Sequence, residues 1–529
     1  MGLNQPMKDE VVPDVIRQEL DSQRLIVDPE ENLRSSPPEN EDVLIRCCWV
    51  VECYPSSFEL NLRSGLDALG WARPLPGGSE RYHADWIELM RRSSFRGGCL
   101  HLGMLESKKT PERRYFAQNR AELPEGVQYI SGWVIHLLAG MTQLVLQFVF
   151  DGPTAGILNG PLRDKYTSYI AKSEKGYSFI NPTHQKQQAV ECLRQALKKR
   201  CWDWVMGNLP GVFASGLLDG IFPTAEFITL NESELFNESS SKERRPYLKM
   251  LDLSCSPYVW AFKDLKGLFM SLPSRNECDF SQAVLAGRTS DLMKKEHLEA
   301  YGVDRERAIL HWLGYLDYSL AVFALKALLL SYDRRLGMLR DEVAAIETGN
   351  PDKSSRELRN IQNLFAHLEG DVELFCIELQ RFCKRKNAFH YELFEFSRVL
   401  QREEDEPELY EQMRMFMLMA APQVCQLARR IAGHIAGSAN LIAAESNERA
   451  TRANLKLQRC LLWVTIALLI FTATLVWLEI TREKRVERAI QVAPETSFDS
   501  VHQAPALEKF EFCLLSVGGR WVNAARILS

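Results

Sequence analysis

The chain has no Cys-x-x-Cys pair, although 13 cysteines are spread from Cys47 to Cys513. That absence argues against a structural zinc site, and an odd, irregularly spaced set argues against a secreted disulfide framework. Reduced, mostly buried thiols in a reducing compartment are expected. Histidine is sparse at 10 residues, none of them paired at metal-ligand spacing on a helix. The phosphate-cradling glycine loop, the dinucleotide fingerprint, the nucleophile elbow and the kinase signature are all missing. No catalytic residue, cofactor or metal ligand is therefore assigned, and a non-enzymatic role is expected. A basic excess is missing too: 64 Lys and Arg face 69 Asp and Glu, a formal net of -5. Nucleic-acid binders usually show the opposite balance, so no nucleic acid partner is expected. The start, MGLNQPMKDEVVPDV, carries neither the basic nor the apolar stretch of a secretory leader.

What is there is globular in composition, with 46% hydrophobic and 25% charged residues. One segment departs from that average. Cys460 to Leu478, CLLWVTIALLIFTATLVWL, runs for 19 residues without a charge. At about 1.5 Å per residue it reaches roughly 29 Å, the thickness of a bilayer core. Trp463 and Trp477 stand near its ends, where interfacial aromatics belong, so 460–478 is expected to span a membrane. Arg449, Arg452, Lys456 and Arg459 precede it, and Arg482, Lys484, Arg485 and Arg488 follow. This tie leaves the positive-inside rule undecided. The missing leader and the free cysteines favour a cytosolic bulk with the 479–529 tail across the membrane.

Before the span the chain divides by composition. Residues 1–42 hold 11 acidic and 4 basic residues and five prolines, and read as an acidic disordered arm. From 43 to 285 the pattern mixes strands and helices. Val43–Tyr54, Cys99–Leu105, Ala225–Leu230 and Pro257–Leu265 read as strands, and 183–207 as a long helix. Trp133–Phe150 is broken at Ala139-Gly140-Met141-Thr142, so it reads as two strands joined by a turn. Strands joined so closely must pair antiparallel, which favours an α+β domain. His136 falls within this pair and reads as a core histidine, whereas His83 beside Asp85 reads as a surface or capping pair. Lys108-Lys109, Arg113-Arg114 and Lys198-Lys199-Arg200 read as solvated charge.

From 305 the period changes to three and four. Tyr315, Tyr318, Val322, Leu325, Leu329, Tyr332, Leu336, Leu339, Val343 and Ile346 form one stripe. After Gly349-Asn350-Pro351 a second stripe runs through Leu358, Ile361, Phe365, Leu368, Val372, Phe375, Leu379 and Phe382, then on through Phe389, Leu393, Phe396 and Leu400. Sustained heptads with a short break predict an antiparallel long helical hairpin over 305–402, coiled-coil in character. A stalk helix over 407–458 is expected next, striped by Leu409, Met413, Phe416, Ala420, Val424, Leu427 and Ile431, with a kink at Pro422. Beyond Ile431 small residues take over. Gly433 and Gly437 have the spacing that lets helix backbones approach closely, which marks them as helix-contact positions.

This layout, a mixed α/β body and then long helices running into a C-terminal span, is similar to that of CorA-type magnesium channels. Those channels have two spans joined by a Gly-Met-Asn loop. Here a single span is followed by Leu478-Glu479-Ile480, so no filter residue is carried over. The expected function is that of a single-pass membrane protein with a cytosolic sensing or binding domain and an oligomerising helical stalk. Its partners would be the lipid bilayer, further copies of itself, and a ligand or protein that the residues leave unnamed. The alternatives are a homo-oligomeric pore or effector, and a membrane-tethered hydrolase whose site has no recognisable motif.

Overall fold

Strand β1 (Leu44–Pro55) is buried without a break from Cys47 to Pro55, with no wet face. Such continuous burial belongs to a strand covered on both sides. The computed structural model describes residues 29–71, 83–92, 98–108, 119–173, 176–218, 222–233, 235–236, 246–254, 259–262, 267–272, 282–292, 309–310, 313, 316–346, 351–385, 396–398 and 409–490. Among them, β2 (Gly98–Ser107), β3 (Asn119–Ala121), β4 (Val127–Leu138) and β5 (Met141–Phe150) lie on one side of β1. The strands β6 (Tyr169–Ser173) and β7 (Gly176–Ile180) form a separate hairpin. On the other side of β1 come β8 (Thr224–Leu230), β9 (Val259–Phe262), β10 (Leu268–Ser271), β11 (Gln282–Arg288) and β12 (Phe396–Arg398). The ten-stranded order is β12-β9-β10-β11-β8-β1-β5-β4-β2-β3. All ladders are antiparallel except β8–β11 and β2–β3. An α+β region with a mixed sheet is thus present.

Register sorts the side chains into two faces. Even-numbered residues of β1 share a face with Leu144 and Glu226, because Glu52 opposes Leu144 and Cys48 opposes Glu226. Three helices cover this face: α1 (Glu59–Ala68), α2 (His83–Arg92) and α3 (Pro182–Asn208). Phe148 meets Trp204 edge-on, and His136 meets Trp86. The start of α3 follows from its sequence: the Asn181 side chain accepts the His184 N–H at 2.8 Å, with Pro182 at the first helical position. A side chain at Gly65 of α1 would meet the Asn208 carbonyl at 2.4 Å, so only glycine allows α1 to abut the end of α3.

The odd face of β1 is shared with Gln143 and Gln147, whose side-chain amides donate to the Ala321 and Leu310 carbonyls. The helices α4 (Asp317–Ala344) and α5 (Pro351–Lys384) lie on this side. From Asp317 to Leu329 every residue of α4 is buried, so it cannot be a helix with one apolar stripe. Its buried members include Tyr318, Val322, Leu325, Leu329, Tyr332, Leu336, Leu339 and Val343, and those of α5 run from Leu358 to Phe382 at the expected positions. Tyr332 and Phe375 join the two helices with ring centroids 5.6 Å apart.

Three expectations need correction. The second heptad stripe does not continue helically through Phe396: α5 ends at Lys384, and Phe396 enters the sheet as part of β12, opposite Phe262, while Phe389, Leu393 and Leu400 lie outside the described residues. A strand edge left open by β9 competes for those residues, and three-residue apolar spacing alone cannot register that. The helices α4 and α5 are also not a domain of their own, since they share one core with the sheet. Last, the acidic arm is ordered from residue 29. Asn32 and Tyr166 exchange side-chain and backbone hydrogen bonds at 2.6 and 2.9 Å, and the buried Glu41 carboxylate caps the N–H groups of Asn231 and Ser233. The rest of the arm, 1–28, lies outside the described residues, as does the 491–529 part of the tail.

Candidate functional site

The segments expected as a stalk and a span fall in one helix, α6 (Leu409–Ile490), which continues through Pro422. Contact density divides the chain into two compact units, Met1–Glu445 and Ser446–Ser529, and α6 contributes to both. In the first unit its buried side is Leu409, Tyr410, Met413, Met417, Ala421, Val424, Ala428, Ile431, Ile435 and Ile442. The stripe therefore persists past Ile431, carried by isoleucines spaced four and seven apart; Phe416, Ala420 and Leu427 are only partly buried beside it. Polar contacts pin this stretch. The Tyr410 hydroxyl donates to Ser319 Oγ at 2.6 Å, Lys326 Nζ lies 4.7 Å over the Phe416 ring, and Arg429 pairs with Glu373.

In the second unit the helix has no buried side. Every residue from Ser446 to Ile480 is exposed, including Cys460, Trp463, Trp477 and Leu478, with Trp463 at 70% and Trp477 at 64%. An exposed run of Leu, Ile, Val, Phe and Trp of this length marks a surface that meets another protein or a membrane. Its polar groups are matched internally: Thr465 and Thr472 donate to the carbonyls of Leu461 and Leu468, and Thr474 to that of Phe471. A helix with such hydroxyls satisfied is compatible with hydrocarbon. Among the described residues, α6 is the one helix long and apolar enough to cross a membrane. Gly433 and Gly437 are exposed on it, and a side chain at either would meet nothing within 4 Å. The close approach their spacing suggested is not made by any of the described residues.

Titratable chemistry is concentrated instead inside the sheet domain, where sequence reading assigned nothing. Lys198, read as solvated, is buried with Nζ 3.1 Å from Glu226 Oε1, and Arg194 reaches the same carboxylate through Nε at 2.9 Å. Burial alone would raise the Glu226 carboxyl, but the Arg194 and Lys198 cations overcome it and hold it well below the ordinary carboxylate range. His136 is neutral at pH 7, because burial and the nearby Arg91 push it down to about 4. Asp85 is exposed on α2, and the Lys109–Arg114 basic run lies outside the described residues. Among the described residues no group of His, Cys, Asp and Glu is placed to hold a metal ion. A signal for the buried charges did exist: Lys186, Arg194 and Lys198 fall on one side of a predicted helix at spacings of eight and four.

Lys186 is fully buried, yet among the described residues its ammonium donates to no carboxylate. It donates to Ser36 Oγ at 2.7 Å and to the Leu162 and Asn32 carbonyls at 2.9 and 3.2 Å, clasping the 29–36 segment to α3. Burial lowers its pKa to about 8, with Asp164 and Glu31 acting weakly the other way. Between about pH 8 and the ordinary lysine value near 10.4 the unfolded chain holds a proton that the folded chain has lost. Stability conferred at this site therefore rises with pH across that window. Chemical denaturation of wild type and Lys186→Met should show it as a difference that grows from pH 8 to 10; parallel curves would refute the assignment.

Comparison with protein-family models and with curated proteins finds no match for this chain. The functional reading therefore rests on α6 and on the domain that holds it.

Proposed function

We propose that this is a single-pass membrane protein whose α+β domain, facing the cytosol, senses or binds a partner and whose helices oligomerise and report to the bilayer. The observation that carries the reading is the continuity of α6. One helix is packed into the domain core through Ile442 and presents, from Cys460, a charge-free apolar stretch with no protein cover. In this reading α4 and α5 form an antiparallel hairpin that braces the first half of α6. The exposed Gly433 and Gly437 are then contact points between copies, since small residues there leave room for a second helix backbone. No enzymatic step is part of the proposal.

The direct test deletes 460–529. Full-length protein should resist alkaline extraction from membranes, and the deletion should move entirely to the soluble fraction; a deletion that stays with the membrane sinks the anchor. Cysteine cross-linking along 431–458 in mild detergent, strongest at 433 and 437, would identify the contact between copies. A homo-oligomeric pore remains the second reading, on the strength of the layout shared with CorA-type channels. Conductance in a reconstituted bilayer would favour it, and a stable oligomer without conductance the anchor.

A further inference from the structure

Arg449, Arg452, Lys456 and Arg459 follow one another at steps of three, four and three, and Trp463 comes four residues later. At about 100° per residue these five side chains fall within an arc of about 80° on one side of α6. Trp477, fourteen residues beyond Trp463, returns to the same arc. All six are exposed, and no acidic residue interrupts Arg449 to Cys460. Just upstream, Glu448 pairs with Arg452, but both partners are more than 60% exposed, and such a pair is easily exchanged for another anion. The other flank of the span differs. There Arg482, Lys484, Arg485 and Arg488 alternate with Glu479, Glu483 and Glu487, so its charge is nearly cancelled.

We infer that the Arg449–Arg459 stripe is a docking surface for the headgroups of anionic phospholipids in the leaflet that Cys460 enters. The inference rests on the membrane-anchor reading above. The headgroup layer is about 5–7 Å thick on each side of the hydrocarbon core. At about 1.5 Å per residue, Arg459 and Lys456 lie inside that layer. Arg452 and Arg449 stand about 12 and 16 Å from Cys460 along the helix. An ordinary tilt of about 20° and the length of the side chains bring them toward the surface potential. Arginine suits the task, because its planar fork grips a phosphate through two hydrogen bonds. Trp463 in the same arc belongs at headgroup level, which marks this side of the helix as the lipid side. Thr465 and Thr472, seven residues apart, lie on the opposite side and leave that side for a second helix.

The test uses the full chain reconstituted in phosphatidylcholine vesicles with a minor fraction of brominated lipid, which quenches only tryptophan at the bilayer. In a Trp477→Phe variant, which retains Trp463, brominated phosphatidylserine should be enriched about fivefold over brominated phosphatidylcholine, the effect of roughly one well-placed cation. High salt should reduce that preference. Changing Arg449, Arg452, Lys456 and Arg459 together to Gln should abolish it, whereas changing Arg482, Lys484, Arg485 and Arg488 to Gln should leave it intact. Equal quenching by the two lipids in the unaltered stripe, or a preference that survives the first set of changes, overturns the lipid assignment alone. Quenching by neither lipid puts the segment outside the bilayer and overturns the anchor as well.

Discussion

Replacing Arg194 by methionine should cost about 3–5 kcal/mol of stability, the usual penalty for removing one partner from a buried ion pair. Arg194 is 2% exposed and serves three partners at once. Its Nε and Nη2 donate to Glu226 on β8, its Nη1 donates to Asp252 Oδ2 at 2.8 Å, and the same Nη1 reaches the Met250 carbonyl at 3.4 Å. Asp252 sits at φ 60°, a left-handed conformation that aspartate tolerates better than most residues and that this contact holds in place. Without the guanidinium, Glu226 keeps only Lys198 as a charge partner in an apolar surround. Urea denaturation of Arg194→Met and of Arg194→Met/Glu226→Gln decides the matter. The double variant should be less stable than the single one, because the neutral amide leaves the buried Lys198 ammonium without its carboxylate. A single variant within 1 kcal/mol of wild type would refute the account. The pH dependence adds a check of sign. Glu226 is depressed in the folded state, so its contribution is present above the ordinary glutamate value near 4.3 and is lost as pH falls below it. Arg194→Met should weaken that acid-side loss.

The second large effect is expected at Glu52, on the same face of the sheet. Its Oε1 accepts the N–H groups of Cys53 and Phe213 at 2.8 and 2.9 Å, and its Oε2 accepts that of Ala214 at 2.9 Å. The carboxyl is wholly buried, and burial pushes it up to about 8 against the pull of those donors. It is the core around which the 211–215 turn is wound. Glu52→Ala would orphan three buried or part-buried backbone donors, each worth about 1–3 kcal/mol, so a loss of at least about 3 kcal/mol is expected. Gly211→Ala attacks the same contact from outside. Its new carbon would lie 2.5 Å from Glu52 Cγ and 2.6 Å from the Cys53 carbonyl, where neither can stay. Thermal melts of both variants should fall together. If Gly211→Ala melts like wild type, the turn is not held as described.

Elements whose chemistry is local could be read from the chain. The strands β1, β5 and β8 and the helix α3 lie within about two residues of their expected limits, because apolar β-branched runs and a helical period are self-contained signals, whereas β4 begins at Val127, six residues before its expected start at Trp133. The seam residues of α4 and α5 were visible for the same reason. What stayed hidden depends on distant partners. The parallel match of β11 to β8 spans 58 residues of sequence at Gln282 and Thr224, and nothing near either strand encodes it. Likewise β12 is a three-residue strand that acquires its shape from β9. The membrane candidate was plain in the sequence because 19 uncharged residues need no context. The buried network of Arg194, Lys198 and Glu226 was only half legible: the spacing puts Lys186, Arg194 and Lys198 on one side of a helix, but only the neighbouring strand makes that side dry.

The buried stripe of α6 also sets a schedule for synthesis. The domain core is incomplete until Ile442 has been made, and the apolar stretch begins only eighteen residues later at Cys460. At about 5–20 residues per second, that interval lasts about one to four seconds. The last core-forming turns and the first turn of the apolar stretch thus leave the ribosome almost together. On the membrane-anchor reading proposed above, the domain closes in the same few seconds in which the apolar segment enters a bilayer.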